Sequence, residues 1–142
     1  MRRPVRGLVA LACLPVLLGA LAACGDDAAD ASTDPVEVEV GKAFEWNGFS
    51  VDEGWTLTGV KRSAGAEEVT TPDVRGTITN DLDEERAALF QMVFSSDGDP
   101  LATVNCSAAK LQRDESTQFE CPGLGAVMPT DYDAVVVQEF VR

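Results

Sequence analysis

The sequence predicts an all-β protein, an antiparallel immunoglobulin-like β-sandwich of about seven to eight strands that follows an export signal and a flexible tether. Apolar residues alternate with a period of two from Val36 onward, and no segment sustains the helical spacing of three and four. Residues that favour turns separate the short apolar runs, and the C-terminal half contains two cysteines. The 119 residues after the signal have the length of one domain.

Residues 1–23 have the three parts of a secretory signal: three arginines among the first six residues, the apolar run 7–21, and small residues before Cys24. A membrane-spanning helix is the alternative, but it needs about 20 apolar residues. The run is shorter than that and is interrupted by Pro15 and Gly19. We therefore predict that residues 1–23 are a signal peptide.

The last residues of this signal, Leu21–Cys24 (LAAC), resemble the lipobox of bacterial lipoproteins, in which an aliphatic and two small residues precede a cysteine. The resemblance implies that the Cys24 sulfur carries a diacylglyceryl group and that Cys24 becomes the first residue after cleavage. Two acyl chains anchor a protein stably, so the expected location is the outer face of the bacterial cytoplasmic membrane. The other interpretation is an ordinary secreted protein whose cysteine is incidental.

The segment Gly25–Pro35, GDDAADASTDP, has no apolar periodicity and consists largely of Asp, Ala and small polar residues. Such a composition predicts a flexible tether that reaches at most about 35 Å. The predicted organisation is therefore a signal peptide (1–23), a lipidated cysteine with its tether (24–35) and a β-sandwich domain (36–142).

The chain without its signal contains 24 acidic and 8 basic residues, a formal net charge of −16. This charge repels nucleic acid and anionic lipid headgroups, so no nucleic-acid partner is expected. The excess of acidic residues either keeps the domain soluble or binds a cationic partner. No long block of acidic residues occurs within the folded part, which favours solubility.

The run 43–51 contains the strongest hairpin signal of the chain, an Asn-Gly pair between two apolar runs. Pairing about this turn places Trp46 opposite Phe49 and Phe44 opposite Val51. All four side chains then lie on one face of the hairpin.

Seven further runs have the character of strands. One of them, Leu89–Phe94, is apolar on both faces except at Gln91, which is typical of a central strand of a sandwich. The only candidate for a helical turn is Asp83–Ala88. The seven runs are Val36–Val40, Trp55–Val60, Val74–Thr79, Leu89–Phe94, Leu101–Cys106, Thr117–Cys121 and Ala134–Phe140.

Cys106 and Cys121 are expected to form a disulfide, because Cys13 leaves with the signal and Cys24 is lipidated. A hairpin centred between residues 113 and 114 places them opposite each other, where Cα atoms lie about 4.5–5.5 Å apart, within the span of a disulfide. A catalytic thiol or a metal pair is the alternative. The chain contains no His that could activate or co-ligate such a thiol.

The order of strands and turns over residues 74–121 carries a family resemblance. Residues 76–81, GTITND, lead into the strand 89–94, LFQMVF, then into an Asp-Gly turn within 97–101 and the strand 116–121, STQFEC. This order resembles the FxLYD-type domains of lipoproteins and secreted proteins from high-GC Gram-positive bacteria. The resemblance implies an immunoglobulin-like sandwich with no established catalytic residues.

Two positions depart from the family pattern: Phe94-Ser95 stands where the family has Tyr-Asp, and residues 112–115 lack the Pro-Gly of a family turn. Because the family supplies no catalytic residues, none are carried over, and we expect neither an enzyme nor a cofactor. Paired carboxylates such as Asp81 and Asp83 are the catalytic groups that a chain without His could still use. A sandwich of this size leaves little room for a cleft beside its core.

Two acidic pairs in turns are candidates for calcium: Asp97 with Asp99, and Asp131 with Asp133. Hard cations bind carboxylate and carbonyl oxygens of loops. Asp is also common in turns because it forms local hydrogen bonds, so solvated turn residues are the simpler interpretation. Neither pair completes a twelve-residue calcium loop.

Four aromatic residues, Trp46, Trp55, Phe44 and Phe49, also allow two interpretations. They could form a platform for sugar or peptidoglycan. Their alternation fits a buried face equally well, and large aromatic side chains are buried by default.

These features predict a membrane-anchored extracytoplasmic lipoprotein that acts as a non-catalytic binding or accessory domain of unknown ligand. The expected partners are the membrane, reached through the lipid on Cys24, and an envelope protein or the cell wall. One alternative is a structural or envelope-stress protein without a specific ligand. Another is a calcium-dependent or hydrolytic module.

Overall fold

The computed structural model describes residues 30–140 and contains nine strands and no helix in that range. All strand pairs are antiparallel, so the predicted all-β antiparallel class is confirmed with nine strands in place of about seven to eight. The predicted signal peptide and Cys24 lie outside the described residues. The strands are β1 Val36–Val38, β2 Phe44–Trp46, β3 Phe49–Val51, β4 Thr56–Ala64, β5 Glu67–Asn80, β6 Arg86–Ser96, β7 Asp99–Leu111, β8 Ser116–Pro122 and β9 Ala134–Glu139.

The strands follow one path, β1-β9-β6-β7-β8-β5-β3-β2, with β4 added at the edge of β5. The path folds over between β7 and β8, because Ser107–Glu120 is the one residue pair that joins these strands in the described chain, whereas ten pairs join β6 and β7. We name β1-β9-β6-β7 the first sheet and β8-β5-β3-β2, with β4, the second sheet. The two sheets face each other as a sandwich.

The core lies between the two sheets. On β6, Phe90, Met92 and Phe94 point inward and are almost completely buried. The ring of Phe90 contacts two rings of the second sheet, with centroid distances of 6.0 Å to Trp46 and 5.6 Å to Phe119. Alternation along each strand therefore delivers one apolar face to the core, as the period of two predicts.

The β2–β3 hairpin has the predicted turn and register. Its central residues, Asn47 and Gly48, have φ angles of 49° and 70°, the left-handed conformations that a two-residue hairpin of this hand needs. Asn tolerates this conformation better than most residues, and Gly adopts it freely. The observed pairs are Trp46 with Phe49 and Phe44 with Val51.

The disulfide between Cys106 and Cys121 forms as predicted, with the two Cα atoms 4.0 Å apart. It neighbours the Ser107–Glu120 pair and has the same register, which is the register of a hairpin centred between residues 113 and 114. Asp114 in that turn has a φ of 59°. Both cysteine side chains are buried. Their covalent bond joins the two sheets at the place where β7 and β8 pair.

The predicted helical turn at Asp83–Ala88 is wrong, because β6 begins at Arg86 and the residues before it form an irregular turn. The cause is the buried side chain of Asn80. Its Nδ2 donates to the backbone oxygens of Glu84, at 2.8 Å, and Leu111, at 3.0 Å. Such side-chain hydrogen bonds compete with those of a helix, and here they prevail.

The hairpin of β4 and β5 is longer than the predicted runs Trp55–Val60 and Val74–Thr79. The nine residues of β4 all pair with β5, which adds an arm that turns at Gly65. The charges and Pro72 of this segment are typical of a loop, which is why the sequence did not predict it. Pro72 pairs with Gly59 of β4 on one side, and on the other side the ladder with β8 ends at the pair Asp73–Pro122. Gly123 N–H, from the loop after β8, donates to the Pro72 oxygen at 2.7 Å, so Pro72 is tolerated on the side where the ladder has ended.

The described part of the predicted tether, residues 30–35, contacts the sandwich. Gly48 N–H donates to the Asp30 oxygen at 2.7 Å, and Asn47 N–H donates to the Ser32 oxygen at 3.1 Å. The Trp46 indole N–H donates to the Asp34 oxygen at 3.1 Å. Residues ahead of the predicted boundary at residue 36 therefore contact the domain, from Asp30, the first described residue, onward. Residues 25–29 of the predicted tether lie outside the described chain.

Removal of the disulfide tests its contribution to the joining of the sheets. The double variant Cys106→Ala/Cys121→Ala should lose about 3 kcal/mol of unfolding free energy, the chain-entropy value for a loop of this length, measured by urea denaturation. The native protein should keep the disulfide in reductant alone, because both cysteines are buried, and lose it when denaturant is added. Rapid reduction of the folded protein would contradict this.

Substitution of Gly76 on β5 tests how closely core side chains pack against the backbone of the second sheet. A Cβ at this position would lie 2.6 Å from the Trp55 Cβ and 2.7 Å from the Phe119 ring. We expect Gly76→Ala to destabilise the domain by about 1–3 kcal/mol through overpacking. Gly125→Ala is the matched control, because a Cβ there meets no atom within 4 Å. Equal unfolding midpoints for the two variants would disprove the crowding.

Candidate functional site

The structure brings the two predicted acidic turns together. Asp97 N–H donates to the Asp133 carboxylate at 2.8 Å, and Asp133 N–H donates to the Ser95 oxygen at 2.9 Å. Asp97 has a φ of 49°, so this contact holds a left-handed turn residue at the end of β6. The carboxylate of Asp133 therefore has a structural partner in the β6–β7 turn.

The remaining calcium candidates, Asp99 and Asp131, are exposed. The Asp131 carboxylate accepts a hydrogen bond from the Thr130 hydroxyl at 3.1 Å. Within residues 30–140 there is no group of three or more acidic, Cys or His side chains placed to hold a metal ion.

The aromatic residues belong to the core. Trp46, Trp55 and Phe49 are buried, and Phe44 packs against them. The Trp55 indole N–H donates to the Lys42 oxygen at 2.7 Å, which satisfies the polar atom of a buried ring. The interpretation of these rings as an exposed sugar platform is therefore wrong.

A shallow groove of about 330 Å³ lies at the end of the sandwich where β6 ends. We name it the distal groove; its walls are Ser96, Leu101 and residues 127–131. Leu101 is 48% exposed and Val127 69% exposed, and Leu124 beside this loop is also 69% exposed. Large apolar side chains grouped at this exposure are typical of a binding surface.

The loop that carries Leu124 and Val127 is held against β5. Gly123 N–H donates to the Pro72 oxygen and Met128 N–H to the Thr70 oxygen, at 2.7 and 2.9 Å. Gly123 has no space for a Cβ, which would lie 2.5 Å from Pro72. The loop backbone is fixed while its side chains Leu124 and Val127 point to solvent, which lowers the entropy cost of binding.

The outward face of the first sheet is a second unusual surface, which we name the uncharged face. It carries no charged side chain on the described parts of β9, β6 and β7 between its margins, which are Glu37 on β1, Lys110 near the end of β7 and Glu120 on β8, the partner of Ser107. Residues 30–140 as a whole have 22 acidic and 7 basic side chains, so a surface of this size without charge stands out. The face consists of Ala134, Val136, Gln138, Ala87, Leu89, Gln91, Val93, Ser95, Thr103, Asn105 and Ser107.

The register arranges the uncharged face in rows across the strands. Val136, Val93 and Thr103 form one row. Gln138, Gln91 and Asn105 form the next. In the second row Gln91 Nε2 donates to the Asn105 side-chain oxygen at 3.0 Å, and Gln138 Nε2 lies 3.5 Å from the Gln91 oxygen. The amides therefore partly satisfy one another, which reduces the cost of removing them from water.

The chain joins the sandwich at the end opposite to the distal groove. Residues 30–32 bond to the β2–β3 turn, and Arg86 at the start of β6 donates to the Asn47 oxygen at 2.8 Å. We name this end the N-terminal pole and the end at Ser96 the distal pole. The eleven residues of β6 separate the poles by about 33 Å. The uncharged face occupies the side between them.

A signal for both surfaces exists in the sequence. The runs 87–96, 100–109, 121–130 and 134–138 contain no charged residue, although acidic and basic residues make up 25% of the chain. Three of these runs form the uncharged face, and the fourth supplies much of the distal groove. Hydrophobic alternation predicts the strands, whereas the signal for these two surfaces is the absence of charged residues from these runs.

Comparison of the chain with protein-family models, curated proteins and solved structures gave no match. The resemblance to FxLYD-type domains and to the lipobox therefore remains a prediction from the sequence. No helix within residues 30–140 is long and apolar enough to cross a membrane.

Proposed function

We propose that the protein is a lipid-anchored extracytoplasmic lipoprotein whose sandwich is a non-catalytic binding domain, and that its distal groove contacts the partner. The observation that carries the proposal is the exposure of Val127, at 69%, and of Leu101, at 48%, which both line the distal groove. Leu124, on the same loop as Val127, is also 69% exposed. Complete removal of such a side chain from water contributes about 1.5–3 kcal/mol, and burial of the part that is still exposed contributes about half to two thirds of that. A structural protein without a specific ligand has no need of this group.

The position of the groove fits an anchor at Cys24. Five residues separate Cys24 from Asp30, and the six steps between their Cα atoms reach at most about 20 Å. The N-terminal pole would then lie near the membrane, with the distal groove about 33 Å further out. An envelope protein or the cell wall is reached from there, and the net charge of the domain disfavours nucleic acid.

The anchor is tested with the variant Cys24→Ser. The full chain should fractionate with the membrane, and its mature N-terminus should carry a diacylglyceryl group on Cys24 by mass spectrometry. The variant should lose the lipid and appear in the soluble extracytoplasmic fraction. An unmodified Cys24, or cleavage at another bond, would refute the anchor.

The distal groove is tested with a photoreactive amino acid at Val127 in the anchored protein. We expect adducts with one envelope protein or with wall glycan. These adducts should fall about tenfold in the Leu101→Glu variant, since a charge in an apolar contact costs at least about 1.4 kcal/mol. Thermal unfolding should show that this exposed substitution leaves the fold intact.

The control places the same photoreactive residue at Gln118, an exposed outward position on β8 of the second sheet. It should give no specific adduct. Identical adducts from Val127 and Gln118, or none from Val127, would remove the groove as the binding site while leaving the anchor experiment unaffected.

A further inference from the structure

The uncharged face has a different location and composition from the distal groove, and we infer that it is the contact through which two copies of this chain pack side by side. The first reason is charge. Two copies that each carry a formal charge of −15 over residues 30–140 repel each other when acidic surfaces approach. The uncharged face lets two copies touch without opposing their acids, and the cores of protein interfaces are likewise depleted of charge.

The second reason is the arrangement of the rows. A two-fold axis parallel to the strands brings each row to the same height as its copy. The row of Val136, Val93 and Thr103 then packs on itself, and the amide row with Gln91 at its centre lies against the amides of the second copy. Apolar groups thus meet apolar groups, and amides meet groups that can both donate and accept. Sheets pack in this aligned way at a spacing of about 10 Å.

The third reason is the direction in which the two copies point. With the axis parallel to the strands, both N-terminal poles lie at one end of the pair and both distal grooves at the other. Two chains anchored in one membrane satisfy this arrangement without bending their N-terminal segments. The common direction of the two copies and their high local concentration both require the membrane anchor, so these two points rest on the proposed function.

The size of the face indicates how strong the contact is. The strands of the face lie about 4.8 Å apart and contribute nine residues from β6 and five each from β9 and β7, a flat area of roughly 300 Å². Stable complexes bury about 800 Å² per partner, so this pair is weak and depends on concentration. We therefore expect association in the membrane and at high concentration, with dissociation on dilution.

The test uses the full chain with Thr103→Cys, an exposed position in the apolar row. Two forms with different tags are expressed together, and intact membranes are treated with a thiol crosslinker that spans about 10–15 Å, to match the sheet spacing. The two tags should be recovered in one covalent species of twice the monomer mass. Gln118→Cys is the matched control, exposed on the outward face of the second sheet, and should not crosslink.

A pair of isosteric substitutions tests the role of charge. Gln91→Glu, added to Thr103→Cys, places a carboxylate at the centre of the face and should lower the crosslinked fraction at least about tenfold, because like charges oppose each other in the contact. Gln118→Glu, added to the same protein, changes the net charge equally and should have no effect. Unchanged unfolding midpoints exclude loss of folding as the cause.

Equal crosslinking from Thr103→Cys and Gln118→Cys would indicate random collision and overturn the inference. Crosslinking of Thr103→Cys to another protein alone would also overturn it, because the face would then serve a different partner. If the chain proves not to be anchored, the same experiment on the purified full chain at high concentration decides the question. A crosslinked pair there supports the inference although the anchor has failed, and its absence overturns it.

Discussion

The bond between Cys106 and Cys121 connects the two sheets at the single pairing of β7 with β8. Elsewhere the sheets are held together by burial and by hydrogen bonds such as that from Asn80 of β5 to Leu111 of β7. Pairing with β6 and the alternation of buried and exposed residues turn one side of β7 to the core, where the disulfide lies, and the other side to solvent. The uncharged face on the solvent side depends on this orientation, because β7 supplies one of its three strands.

The two poles of the sandwich are built by different interactions. At the N-terminal pole, backbone and side-chain hydrogen bonds dominate: Asn80 is completely buried and joins the turn before β6 to the end of β7, while Arg86 reaches Asn47 and stacks over the Phe49 ring at 4.8 Å. These hydrogen bonds satisfy the polar groups of the N-terminal pole with partners inside the domain. At the distal pole, Leu124 and Val127 remain exposed, so that pole gains free energy when its apolar surface is covered.

The sequence was sufficient where the determining interaction is local. The Asn-Gly turn fixes the register of β2 with β3. Cys106 and Cys121 lie at equal distances from the residue pair 113–114, and this symmetry predicts the register in which they face each other. The sequence was insufficient where distant residues decide: Asn80, which suppresses the helical turn, is itself held by Leu111, 31 residues away, and a loop from beyond β8 allows Pro72 within β5. Leu89–Phe94 is apolar on both faces and is central within its sheet, as predicted. Its second face nevertheless points outward, with Leu89 exposed and Val93 half-buried, since a sandwich covers only one side of each sheet.

The two surfaces are compatible in one assembly. The uncharged face lies on the side of the domain and the distal groove at its end, so pairing through the side leaves both grooves open and facing the same way. A partner with repeated sites, such as a wall polymer, would then meet two grooves held at a fixed separation. The second groove binds at a high effective concentration once the first is occupied, so two weak contacts give strong overall binding. A weak dimer interface is sufficient for this purpose, because a divalent partner also holds the two copies together.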